Sequence, residues 1–143
     1  RDLWRVSLET TVLVRAFAAR ALCPGLLRLV LTSHELVLGE AVLDEVSRSL
    51  RGKLGLPDPI VHSIETLLRS FHIEPTPMEA APVPIRDPSD RAILVSALKA
   101  GAEVLITGDQ DLLVVAREVS GVRIVDPRTF WQEVSKRSGK PAS

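Results

Sequence analysis

Glu103-Val104-Leu105-Ile106-Thr107-Gly108-Asp109-Gln110-Asp111-Leu112-Leu113 is the stretch on which the fold turns. Its first half, over 103–107, is short and apolar, as in a strand buried on both faces of a parallel sheet. Gly108-Asp109 then makes a turn, and the residues after it predict a helix over 110–118. A strand that runs straight into a helix is half of a β-α unit.

The same alternation extends in both directions. Upstream, Asp87-Pro88-Ser89-Asp90 opens a helix that runs to residue 100 and stops at Gly101. Proline stands at its first helical position and an acid three residues after the cap. Downstream, a strand over 122–125 and a helix over 127–136 close the chain. At the other end, Trp4, Val6 and Leu8 alternate with Arg5, Ser7 and Glu9, the period of a strand over 3–9. Thr10-Thr11 supply hydroxyls for the start of a helix over 12–21. Pro24 interrupts, and a helical pattern resumes over 25–32 through Leu26, Leu29 and Val30. A short strand over 35–38 follows. Gly39 then separates it from a helix over 40–54, in which Val42, Val46, Leu50 and Leu54 recur every four residues. Pro57 restarts a helix to about residue 71, with Ile60, Ile64, Leu67, Leu68 and Phe71 as its apolar face.

Five of the ten prolines lie between Pro75 and Pro88, which predicts an extended crossover. Split there, each half would have about 70 residues and a marginal core, so one domain over 1–137 with a tail over 138–143 is expected. Strands separated by helices predict an α/β fold, a three-layer α/β/α sandwich around a central, mainly parallel sheet.

Composition narrows the function. The 143 residues are 45% hydrophobic and 25% charged, as in an ordinary folded domain. The stretch over 92–98, apolar apart from Ser96, ends at Lys99, too short to span a membrane. With no n-region and h-region at its start and Cys23 as its lone cysteine, the sequence suits a reducing cytoplasm and excludes internal disulfides and cysteine zinc cages. Lys and Arg total 18 against 18 Asp and Glu, and aromatics are 3%. A partner nucleic acid would therefore be held by a local patch on its backbone and not by bulk charge or base stacking.

No phosphate-binding glycine loop, dinucleotide fingerprint or nucleophile elbow is present. His34, His62 and His72 lack ligand spacing. Asp109-Gln110-Asp111 opens like a calcium loop, but Val114 stands where glycine is required. Carboxylates remain. In parallel sheets ligands sit beyond the carboxyl ends of the strands, where Glu9 and Asp109 fall. Asp90 shares a helix face with Ile93, Leu94 and Ala97, and Glu45 adjoins Val46 at the rim of an apolar stripe. Each acid has a plainer role open to it. Asp90 can close a capping box with Asp87, Asp109 can cap a helix, and Glu9 and Glu45 can be surface acids. Converging on one sheet edge, however, they would repel one another unless a cation neutralised them. Oxygen-only ligands point to Mg²⁺ or Mn²⁺.

These residues resemble a known family. Leu8-Glu9-Thr10-Thr11-Val12-Leu13-Val14 is similar to the first block of the PIN-domain ribonucleases. Leu38-Gly39-Glu40-Ala41-Val42-Leu43-Asp44-Glu45-Val46 resembles the second, Asp87-Pro88-Ser89-Asp90 the third and Thr107–Leu113 the fourth, whose Asp109 lies nineteen positions after Asp90. The likeness spans about residues 3–130, and within the family it is to the toxins of VapBC-like toxin–antitoxin pairs. It implies a PIN-like fold and a metal-dependent endoribonuclease. Glu9, Glu45, Asp90 and Asp109 would be its catalytic acids, with Mg²⁺ or Mn²⁺ on Glu9, Asp90 and Asp109. Thr11, Asp87, Thr107 and Asp111 would surround them, Thr107 orienting Asp109 or a water. RNA would be the substrate, with an antitoxin protein and a second copy of the chain as candidate partners and no membrane. Arg48, Arg51 and Lys53 form a basic cluster that either grips RNA phosphates or is a solvated helix end.

The first block departs from the family, with Glu9 where aspartate and Thr11 where asparagine stands. Glutamate carries its carboxylate roughly 1.5 Å further, and Mg²⁺ demands near-ideal octahedral geometry. That supports an alternative, a PIN-like module that binds RNA or an antitoxin without cleavage. A third reading makes the strand and Asp109-Gln110-Asp111 an aspartyl-nucleophile phosphatase motif, which would also want a positioned lysine.

Overall fold

The computed structural model describes residues 3–19 and 22–137. The 138–143 tail and the last two positions of the expected 12–21 helix lie outside the described residues. Five strands form the sheet: β1 (Arg5–Leu8), β2 (Glu35–Gly39), β3 (His72–Glu74), β4 (Val104–Ile106) and β5 (Arg123–Val125). Around them lie α1 (Thr10–Phe17), α2 (Cys23–Ser33), α3 (Glu40–Gly52), α4 (Asp58–Arg69), α5 (Pro88–Lys99), α6 (Gln110–Val114) and α7 (Pro127–Arg137). The strand order is β3-β2-β1-β4-β5 and every pairing is parallel. From β1 the chain steps outward to β2 and β3, then returns to β4 and steps the other way to β5. Right-handed crossovers therefore carry α1–α4 over one face and α5 and α6 over the other. The result is the three-layer α/β/α sandwich, with a sheet parallel throughout.

Burial explains why the strands read as they do. Val6, Ser7 and Leu8 are all buried, as are all three residues of β4, so both faces of the central strands are covered. The alternation read over 3–9 is thus not a solvent face opposite a core face. In α4 the inward residues are Val61 and Leu68, while Ile60 and Leu67, read as core, are 49% and 42% exposed. The apolar stripe is wider than the surface it packs against, and packing picks its Val61 side.

Other departures are local. β3 was not legible, because three half-polar residues on a sheet edge carry no periodicity. Pro24 does not break a helix; it lies in the first turn of α2, where no N–H is needed. The helix expected over 110–118 is α6 followed by a 3₁₀ turn, Ala116–Glu118. α1 stops at Phe17, and the chain turns away through Ala19 at φ +56°.

One close approach seats the site. A Cβ on Gly39, at the end of β2, would lie 2.8 Å from Ser96 Oγ and 2.9 Å from Ser96 Cβ, so only glycine lets α5 pack this close. Gly101, at φ +72°, ends α5, and Ala102 N–H donates to the Ala97 carbonyl at 2.9 Å. Trp4 stacks on His34 and donates its backbone N–H to His34 Nδ1 beneath the N-terminal end of the sheet, and Phe130 packs against both, tilted to Trp4 and edge-on to His34.

Candidate active site

The order β2-β1-β4-β5 reverses direction between β1 and β4, and a crevice opens beyond the carboxyl ends of such a strand pair. The register sets Leu8 beside Ile106, so Glu9 and Thr107, the next residues, emerge side by side. A cleft of about 700 Å³ lies there. Glu9, Glu45, Asp87, Asp90 and Asp109 all line it, together with Thr10 and Thr11.

Three of these acids arrive in one way. Each stands at the N-cap of a helix and accepts the N–H two residues on: Glu9 from Thr11 at 2.7 Å, Asp87 from Ser89 at 2.8 Å and Asp109 from Asp111 at 2.8 Å. Caps of this kind satisfy donors that the helix leaves unpaired. The hydroxyl-bearing start expected for α1 is thus replaced by the Glu9 carboxylate, with Thr10 the first helical residue. Thr10 instead donates its hydroxyl to Glu45 Oε1 at 3.0 Å, tying α1 to α3 across the cleft.

Asp90 differs from the others. It sits in the first turn of α5 and is 4% exposed, and its Oδ2 is buried without a hydrogen-bond partner. Asp87, not a capping box with Asp90, provides the cap. Burial first, then the charges of Asp109 and Asp87, a hydrogen bond with Asp109 and the charge of Glu9 push the Asp90 carboxyl up to about 7. An orphaned buried carboxylate oxygen costs free energy unless something ligates it.

One oxygen each from Asp90, Asp109 and Asp111 lie within 4.8 Å of one another. Opposite ligands of an octahedral Mg²⁺ stand about 4.2 Å apart, so small side-chain rotations bring these three into reach of one ion. The donor set is all oxygen, which fits Mg²⁺ or Mn²⁺. Asp111, expected only as an outer carboxylate, belongs to this group. Glu9, expected as a ligand, is not one of the three; its oxygens are engaged by Thr11 N–H and by the Thr107 hydroxyl at 3.2 Å. Thr107, fully buried, also accepts the Asp109 N–H at 2.9 Å.

Cations line the cleft walls beside the acids. From α3 come Glu45, Arg48, Ser49 and Gly52, spaced as one helical face, followed by Lys53; α1 adds Thr11, Val14, Arg15 and Ala18. Arg15 was not singled out in the sequence, although its i, i+4 spacing from Thr11 is a legible signal. Arg51 does not join Arg48 and Lys53 there. It pairs with Asp58 at 3.1 Å and Glu65 at 3.6 Å, because it lies on the flank of α3 that Ser47, hydrogen-bonded to Glu65, turns toward α4.

A parallel α/β/α domain with an acidic cleft at its switch point, walled by cations, is the class that fold and site define. Residues 5–111 match the family profile of the PIN domain, and the chain belongs to that family. Among solved structures it is similar to VapBC2 from Rickettsia felis bound to a DNA fragment from its promoter. That match has 14% identity and a TM-score of 0.61, covering 85% of this chain and 98% of the other. It is also similar to the PIN domain endonuclease Utp24, at 16% identity and a TM-score of 0.50, covering 88% and 86%. At such identities the likeness speaks for the fold. No curated protein matches the sequence. Among the described residues no helix is long and apolar enough to cross a membrane.

Proposed function

We propose that this PIN domain is a metal-dependent endoribonuclease, the toxin of a toxin–antitoxin pair, with 1–137 acting as one catalytic domain. The observation that carries the reading is the buried, unpartnered Oδ2 of Asp90, a carboxylate clustered with Asp109 and Asp111 at the switch point. A carboxylate left so costly to ionise is explained by a cation that the domain is built to hold. A bound Mg²⁺ or Mn²⁺ supplies Lewis-acid activation of water and neutralises charge on the phosphoryl oxygens.

The chain's own residues do the rest. Asp90, Asp109 and Asp111 hold the ion, while Glu9 and Glu45 line the cleft around them. The Thr107 hydroxyl fixes Glu9, and its oxygen fixes the backbone of Asp109. Arg15, Arg48 and Lys53 receive phosphates along the walls. Among the described residues none lining the cleft is aromatic, so the strand is held by its backbone and not by stacking. The VapBC2 neighbour supports a partner antitoxin, and the Utp24 neighbour supports nuclease chemistry.

The test is RNA cleavage by the purified protein, metal-free and then with Mg²⁺ or Mn²⁺, beside Asp90→Asn. Cleavage only with metal, lost in the variant, is expected. RNA binding without cleavage under every condition would leave the binding module instead. That second reading draws on Glu9, whose carboxylate is already committed to two donors.

A further inference from the structure

Among the described residues, Arg86 is the one cation paired with a carboxylate of the three-acid group. Its Nη2 lies 3.3 Å and 3.4 Å from the two carboxylate oxygens of Asp111, one of the three acids within reach of a common ion. Its side chain is 87% exposed. It ends the proline-rich crossover and borders a second open groove of about 980 Å³, which Arg91 and Ile85 also line. Arg86 therefore stands where that groove meets the acid cluster.

We propose that Arg86 is a substrate-gripping residue held in reserve by Asp111: it neutralises the carboxylate while the metal site is vacant and moves to an RNA phosphate once a divalent cation takes Asp111. The inference rests on the metal-nuclease reading and deepens it. The physical case is competition for one carboxylate. An exposed pair made through a single guanidinium nitrogen sits at the weak end of ion pairs, so it exchanges readily. A divalent ion carries twice the charge and approaches a carboxylate oxygen to about 2.1 Å, so it displaces the guanidinium. The freed guanidinium keeps its charge at any working pH and suits phosphate geometry. Its release beside the acid centre adds a positive charge to the RNA path only when the centre is loaded.

The test uses the full chain and two variants, Arg86→Gln and Arg86→Lys. Calorimetric Mn²⁺ titration should show about two- to fivefold tighter metal binding by Arg86→Gln, because the competing cation is gone. Binding of a phosphorothioate oligouridine, followed by anisotropy, should be alike for wild type and Arg86→Gln without metal. With Mn²⁺ the variant should bind about three- to tenfold more weakly, with a salt slope shallower by about 0.7, the value of one phosphate contact on a single strand. Arg86→Lys should recover the salt slope. Equal Mn²⁺ affinity in wild type and Arg86→Gln overturns this inference alone, as does an RNA defect that is the same with and without Mn²⁺. A wild type that binds no Mn²⁺ overturns both this inference and the metal-nuclease reading.

Discussion

Thr107 and Glu9, 98 positions apart, are joined by a 3.2 Å hydrogen bond at the switch point of the sheet. The pairing of Leu8 with Ile106 one residue earlier makes that contact, and the Glu9 N–H donates to the Ile106 carbonyl at 3.0 Å. The Thr107 hydroxyl oxygen also accepts the Asp109 N–H, so one buried side chain positions two of the acids.

Thr107→Val keeps the shape and removes the hydroxyl. It leaves the Asp109 N–H without its acceptor and Glu9 Oε1 without its donor, at a cost of about 1–3 kcal/mol. Thr107→Ser should restore most of it. Urea unfolding measures the stability, and steady-state cleavage should fall in the valine variant and recover in the serine one. Equal stability of all three would show that the bond matters little.

Glu9 makes with its longer side chain the same N–H contact that Asp87 and Asp109 make with shorter ones. Its extra carbon also brings Oε1 to Thr107. Glu9→Asp with Thr11→Asn, which recreates the family's first block, should therefore give no gain in cleavage. It should melt a few degrees lower, the equivalent of about 1 kcal/mol for a lost side-chain hydrogen bond. A faster double variant would show instead that the added methylene misplaces the carboxylate.

Asp109 has two roles, cap and ligand, and asparagine separates them. Asn caps a helix about as well as Asp but is a neutral, poorer ligand. Asp109→Asn should fold normally and bind RNA at least as tightly, since a negative charge beside the phosphates is gone. Cleavage should drop by about 10²-fold or more, the scale of removing one preorganised electrostatic group. Wild-type cleavage by the folded variant would take Asp109 out of the site.

Asp90 makes the metal-free protein pH-sensitive. Its carboxyl is pushed up to about 7 in the native state by burial and by its acidic neighbours, while the unfolded chain ionises near 4. Across that window the native state holds the extra proton, so this group's contribution to stability falls as pH rises from about 4 to 7 and is level above. In EDTA, Asp90→Asn should match wild type near pH 4 and exceed it at pH 8, by on the order of a few kcal/mol. With Mn²⁺ the comparison changes. Wild type should gain melting temperature by mass action, and Asp90→Asn should lose most of that gain. An equal rise in both would remove Asp90 from the metal site.

The sequence by itself determined the local part of this protein. Hydrophobic periodicity, Pro88 and Gly101 placed strands and helices in order, because capping, turn chemistry and side-chain period act over a few residues. The four acids could be picked out for the same reason, since each sits at an element's end or rim. The tertiary structure decided what those acids meet. Placing β1 between β2 and β4 set Glu9 beside Thr107, and the packing of α5 through Gly39 and Ser96 buried Asp90 beside Asp109. The drawing of Arg86 to Asp111, the turning away of Arg51 and the edge strand β3 were decided there as well. None of these leaves a periodic trace, because each depends on the register and docking of segments far apart in the chain, and a contact across 98 residues is set by neither partner's own surroundings in sequence.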